Sequence, residues 1–424
     1  MKEKKNSEKE KKVLSQASSE VKKPFNIKDT VIALKNNDNF VIVLEILIIL
    51  ALVVALVFII NGQKNNGGTV GGNQGGILGG GNNSDNSGGN SGGNQGGSNV
   101  QKQSYKAYNF NYFDTVSTIV GYEATESEFA AVSDEALNLL GEYHKLFDIY
   151  NEYDGMVNLC TLNKLVDGQH QKLKVDRKII DMLLYAKEMY TLTDGRMNVA
   201  MGSVLSIWHD YRDAGTEQPS KAQLPPMDKL QQAAKHTDIN SIIIDEANST
   251  VWIADPQMKL DVGAIAKGYA VEMVAKMLEA KGKTDYTLNI GGNIRTLGTK
   301  ANGDKWKAGV EDPNGDGYIE YISLAGEAIV TSGSYQRYYI VNGKSYHHII
   351  DKETLMPADR GYLSVSVICN DSGMGDGLST ALFCMDLDEA LAFVNSLDGV
   401  EAMFVTEDEV KHYSNGFLNY TYTP

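Results

Sequence analysis

Hydrophobic and polar positions divide the chain into stretches of different character. Residues 1–40 show almost no apolar periodicity until Val31–Leu34, whereas Val41–Ile60 is a nearly unbroken run of Val, Ile, Leu, Ala and Phe interrupted by Glu45. About 20 residues rising ~1.5 Å each cross a ~30 Å hydrocarbon layer, so residues 41–60 are expected to form a transmembrane helix. Glu45 lies about one turn inside its end, where a carboxylate snorkels to the interface or is protonated. Residues 61–103 are expected to be a tether: Gly62–Ser98 is Gly, Asn, Ser and Gln with hardly any apolar residue. Such a chain cannot bury a core, and its root-mean-square span is on the order of 35 Å.

From residue 104 the pattern becomes that of a folded body running to residue 424. Two strands are expected over Tyr105–Tyr122 with a turn at Asn111. Apolar spacings of three and four predict helices over Thr125–Phe147 and, behind an Asp176 cap, Val175–Leu192. A hairpin follows over Ser241–Ile253, then a helix over Ala264–Lys281 and several short strands to Ile350. The last elements are a strand over Leu363–Ile368, helices over Gly375–Met385 and Leu387–Ser396, and a closing hairpin. Strands and helices mix without regular alternation, which favours an α+β fold over a doubly wound sheet.

Charge sharpens this division. The 424 residues carry a net −15, but residues 1–100 hold 11 lysines against 8 acids, leaving 28 basic and 46 acidic side chains in the rest. A body at −18 repels phosphate backbones, so nucleic acid is excluded as a partner, and a polyanionic ligand needs a metal ion or local donors. The lysine excess precedes the apolar run, and Lys64 is the one lysine between that run and Lys102. This asymmetry predicts a cytoplasmic N-terminus and a body outside the membrane. No small-x-small cleavage pattern follows Ile60 and no cysteine sits there, so an uncleaved signal anchor is expected. Cys160, Cys369 and Cys384 are far apart and read as buried thiols.

Four segments carry candidate chemistry. In Leu260–Ala270 a strand ends in small residues and feeds a helix whose first turn offers amides and Lys267, which suits an anion cradle or an ordinary strand–helix corner. Gly291 and Gly292 follow an apolar strand, as a tight turn does and as a close approach to a ligand does. Thr331-Ser332-Gly333-Ser334-Tyr335 precedes Tyr346-His347-His348-Ile349-Ile350-Asp351, which holds the one adjacent histidine pair. In Gly375–Phe383, helical spacing puts Asp376 and Thr380 on one face. One carboxylate and one hydroxyl, completed by water and phosphate, can hold magnesium, and an acidic residue near a helix start is the plainer alternative. Gly89-Asn90-Ser91-Gly92-Gly93 matches a hydrolase pattern inside the tether and is compositional, while Gly282-Lys283-Thr284 lacks the first glycine of a P-loop.

Together and in this order, the segments resemble the ApbE family of FAD:protein FMN transferases from about Tyr108 to the C-terminus. The shared stretches are Asp261–Ala270, Ile290–Asn293, Thr331–Tyr335, His348–Asp351 and Asp376–Phe383, with weaker echoes at Leu146–Asn163 and Gly195–Asn198. Departures fall at Gly195–Asn198, where many members have G-A-F-D, and at Asp351–Leu355, where they have D-P-x-T-G.

The resemblance implies transfer of FMN from FAD to a threonine or serine hydroxyl of another protein, with release of AMP. It also implies acceptor flavoproteins bearing a D-x-x-[ST]-G-A-[ST]-like segment, and location at a bacterial cell membrane with the catalytic body on the extracytoplasmic face. Alternatives are a magnesium-dependent FAD pyrophosphatase and a tethered flavin-binding protein without turnover. Residue by residue, it implies magnesium at Asp376, Thr380 and a backbone carbonyl at Ala266, with His348 and Asp376 catalytic. FAD is expected against Asp261, Ala266, Lys267, Gly291, Gly292, Asn293, Thr331, Ser332, Gly333, His348 and Ile349, with Glu272 on the ribose or adenine.

Overall fold

The structure, a computed structural model, describes residues 101–164 and 172–423. The expected tail (1–40), membrane span (41–60) and most of the tether (61–103) lie outside these residues. Among the described residues no helix is long and apolar enough to cross a membrane.

Eight strands build the main sheet, and their order in space is their order in the chain. They are Gln103–Tyr112, Thr115–Glu123, Tyr286–Ile290, Asn293–Leu297, Ala328–Gly333, Tyr362–Cys369, Glu401–Thr406 and Lys411–Tyr413. Every neighbouring pair is antiparallel. The mixed α+β class is therefore present, as an antiparallel meander into which helices and hairpins are inserted.

Alternation along the strands assigns the two faces. Val365, Val367, Ala402 and Phe404 join the larger core with the helices, while Ile329, Ile368, Met403 and Val405 pack with Ala308, Val310, Ile322 and Leu324 of the hairpin Trp306–Glu311/Tyr318–Leu324. A third cluster fixes the helix Gly202–Glu217 to the hairpin Tyr338–Val341/Lys344–His347 through Val204, Trp208, Tyr339 and Val341. Trp208 Nε1–H donates to the Leu355 carbonyl at 3.0 Å.

Helix starts follow their caps. Thr125 and Glu128 form a capping box on Glu126–Phe147, and Asp176 caps Arg177–Leu192. The first hairpin turns later than expected, at Phe113 and Asp114 (φ 55° and 52°), both left-handed as a two-residue hairpin demands. Asn111 instead lies in a register shift, its N–H taken by Asn109 Oδ1 at 2.8 Å. The turn Gly291-Gly292 is built the same way (φ 56° and 89°), and a Cβ on Gly291 would stand 2.4 Å from Thr115 Oγ1. Both hairpin tips therefore meet. The helix Ser372–Phe383 begins one turn earlier than the pattern suggested, because Asp371 accepts from the Met374 N–H at 3.0 Å.

Candidate active site

A cavity of about 560 Å³ opens between the two hairpin tips, the corner before the helix Ala266–Ala280, the end of the strand Ala328–Gly333, the helix Gly202–Glu217 and the helix Ser372–Phe383. This lies in the usual range for small-molecule sites, ~300–1,000 Å³. Its wall includes Asp261, Lys267, Gly291, Gly292, Thr331, Ser332, Gly333, His348, Ile349, Asp376 and Thr380, so segments far apart in the chain converge on one space.

Two helices meet at Asp376 with almost nothing between them. A Cβ on Gly268 would stand 2.3 Å from the Ser372 carbonyl oxygen and 2.5 Å from Asp376 Cβ. That approach lets the Gly268 N–H donate to Asp376 Oδ2 at 2.8 Å, while Oδ1 lies 3.5 Å from Lys267 Nζ. Lys267 Nζ also donates to Asn293 Oδ1 at 3.1 Å. One turn on, Thr380 Oγ1 donates to the Asp376 carbonyl at 3.3 Å, with Ser332 Oγ 3.5 Å away.

This donor set, a carboxylate with hydroxyls, suits a hard divalent cation. A positive charge already stands beside Oδ1 as the Lys267 ammonium. Among the described residues no group of three or more His, Cys, Asp or Glu side chains is arranged to hold a metal. These two side chains could supply only part of a cation's shell, so an ion held there would need its remaining ligands from phosphate and water.

His347 and His348 separate cleanly. The strand Lys344–His347 ends at the first, and extended neighbours face opposite sides. His347 Nε2–H donates to the Ala358 carbonyl at 2.9 Å, and its ring stands edge-on to Phe383. His348 lies in the cavity wall, where Nδ1 is 3.2 Å from the Arg337 carbonyl. A carbonyl can only accept, so Nδ1 carries the proton and Nε2 keeps its lone pair. Burial, with Arg337 nearby, pushes the His348 imidazole down to about 3, so it is neutral at ordinary pH.

Three expected contacts fall elsewhere. Glu272 is buried behind the wall, where Oε2 accepts from Arg295 Nε and from the Ser372 N–H, each at 2.9 Å. It fixes one helix to the next and to the sheet, which corrects its assignment to ribose or adenine. Ala266, the buried first residue of its helix, does not line the cavity, so the metal fit rests on Asp376 and Thr380. Asn293 is also buried and reaches the site through Lys267.

Further charged and polar residues stand at the wall or brace it. Arg196, Arg212 and Arg337 join Lys267, so four cations face Asp114, Asp261, Glu311 and Asp376. The local donors that a −18 body needs for a polyanion are thus present. His209 stands with Nδ1 3.2 Å from the Tyr150 hydroxyl and Nε2 3.7 Å from Asp261 Oδ2, and burial pushes its imidazole down. Asn163 clamps the backbone before Asp261: its Nδ2–H donates to the Leu260 carbonyl at 2.9 Å, and its Oδ1 accepts from the Leu260 N–H at 2.7 Å. Asp351 accepts from the Glu353 and Thr354 N–H groups and pairs with Arg360, which holds its carboxyl below the usual range and shapes the departing loop.

A family model described as "ApbE family" matches residues 113–404. A Treponema pallidum protein named FAD:protein FMN transferase is 31% identical over 261 residues, covering 58% of this chain and 70% of its own. One of the same name from Klebsiella pneumoniae is 29% identical over 280 residues, covering 62% and 82%. A crystal structure of the ApbE protein of Thermotoga maritima superposes with a TM-score of 0.65 at 29% identity, over 76% of this chain and all of that one.

Proposed function

The chain belongs to the ApbE family, and from that premise we propose the chemistry by which it works as a FAD:protein FMN transferase, its metal and its setting. The acceptor is a threonine or serine hydroxyl in a D-x-x-[ST]-G-A-[ST]-like segment of a redox protein. Its oxygen bonds to the FMN phosphorus, the phosphoanhydride bond to AMP breaks, and AMP leaves with the electron pair. Such phosphoryl chemistry depends on positioning and charge neutralisation.

The observation that carries this reading is the gathering of Asp376, Lys267 and His348 on one cavity. Asp376 and Thr380 would hold magnesium, which offsets diphosphate charge when bound. Lys267 and the arginines orient the phosphates, and Gly291, Gly292 and Thr331–Gly333 let the flavin nucleotide approach the backbone. With the negative phosphates bound beside it raising the imidazole from its depressed value, His348 Nε2 takes the acceptor proton, and its Nδ1–H on the Arg337 carbonyl holds the ring in that tautomer.

The apolar run 41–60 and the lysine asymmetry support a single-pass anchor with residues 104–424 on the extracytoplasmic face of a bacterial membrane, joined by the tether 61–103. The purified full chain, FAD, magnesium and an acceptor domain carrying the D-x-x-[ST]-G-A-[ST]-like segment supply the test. AMP should appear in step with acceptor-bound flavin. AMP matched by free FMN, with the acceptor unmodified, would replace transfer by hydrolysis.

A further inference from the structure

Asp376 offers its two oxygens to different neighbours. Oδ2 accepts from the Gly268 N–H at 2.8 Å, and Oδ1 stands 3.5 Å from Lys267 Nζ. The carboxylate is buried, so salt and water screen this pair little. Lys267 has a second hold, because Nζ donates to Asn293 Oδ1 at 3.1 Å. Asn293 is itself buried, and its Nδ2 has no partner among the described residues, so Lys267 orients that amide. The ammonium thus leans on Asp376 by charge and on Asn293 by hydrogen bond, and it keeps the second when it gives up the first.

We propose that Lys267 is the counter-ion a divalent cation must displace from Asp376, so that metal binds the protein alone weakly and binds tightly beside a diphosphate. The proposal rests on the magnesium reading of Asp376 and Thr380 and adds how that site is kept for metal accompanied by the nucleotide. Magnesium takes a carboxylate oxygen at ~2.1 Å, so anywhere around Oδ1 it would lie within about 6 Å of Nζ. Like charges at that range in a buried wall oppose one another by ~10–1,000-fold in affinity.

A phosphate reverses the balance. Lys267 lines the cavity, and an ammonium has three N–H donors, of which Asn293 takes one. A phosphate oxygen that takes another draws the charge away from Asp376, and the same phosphates supply oxygens to the ion. By linkage, the factor that FAD adds to metal affinity is the factor that metal adds to FAD affinity. An ion pair that only tied the helix Ala266–Ala280 to the helix Ser372–Phe383 would loosen the metal when broken, whereas loss of a competing counter-ion tightens it.

The test titrates the full chain, without FAD, with Mn²⁺ followed by electron paramagnetic resonance and with Mg²⁺ in competition. Lys267→Met should bind metal at least ~10-fold more tightly than the wild type. Without metal it should bind FAD more weakly by flavin fluorescence, since the diphosphate loses the same charge. Lys267→Arg keeps the charge and should show no gain in metal affinity. Metal bound no more tightly by Lys267→Met, an equal gain in Lys267→Arg, or an unchanged FAD affinity in Lys267→Met would each overturn the proposal. Adding Asp376→Ala to Lys267→Met should abolish the gain. A gain that survived this change would place the cation elsewhere and remove the magnesium reading itself.

Discussion

His347 and His348 are chain neighbours with opposite surroundings: one imidazole donates to the Ala358 carbonyl against Phe383, the other stands in the cavity wall with Nδ1 on the Arg337 carbonyl. Neighbours in an extended segment cannot share a side. A register slip of one residue would exchange a core histidine for a cavity histidine.

His348→Ala is expected to lose transfer by roughly 10²–10⁴-fold, the usual worth of a general base, while FAD still binds by fluorescence titration. His347→Ala should act on melting temperature more than on transfer, because it leaves the Ala358 carbonyl and the Phe383 face without their partner. The reverse order of effects would exchange the two roles.

Burial lowers the imidazoles of His209, His347 and His348 below their ordinary ~6.5. Below that pH the unfolded chain binds protons that the folded chain refuses at these positions. Stability is then complete above ~6.5 and falls on acidification, for His348 towards about 3. Thermal melts from pH 7 to pH 5 should show a falling midpoint, with a shallower fall in His348→Gln. Equal slopes would contradict the depressed imidazole.

Gly268→Ala places a methyl 2.3 Å from the Ser372 carbonyl oxygen and 2.5 Å from Asp376 Cβ. Backbone cannot yield as a side-chain end does, so a cost of about 1–3 kcal/mol is expected from overpacking. Asp376 should shift with its helix and weaken magnesium dependence. Denaturant unfolding beside a magnesium titration reads both, and a variant matching the wild type in both would show that the helices separate freely.

Protease added to spheroplasts should release a fragment beginning near residues 62–104, if residues 41–60 anchor the chain with its body outside. A body protected until the membrane is lysed would reverse that orientation.

Local chemistry made much of the fold legible. The Thr125–Glu128 box, the Asp176 cap and the alternation within the strands are written in adjacent residues. The helix Gly202–Glu217 was not legible, since it starts at a glycine with no side-chain cap, and His209 and Arg212 were lost with it. Asn111 resembled a turn residue, yet the side chain of Asn109 holds it inside the strand. Asp261, Asp376, Thr380 and His348, singled out by the motifs of the resemblance, lie together on one cavity wall. Glu272 was expected at the ligand from the resemblance alone, and its partner Arg295 on the strand Asn293–Leu297 becomes visible only in the fold.

The most direct measurement of the central claim is the intact mass of the acceptor domain after incubation with the full chain, FAD and magnesium. The wild type should add the mass of one FMN less water to a single threonine or serine, and Asp376→Ala should add nothing. An acceptor whose mass does not change with the wild type, or one modified equally by Asp376→Ala, would contradict the assignment of this site to flavin transfer.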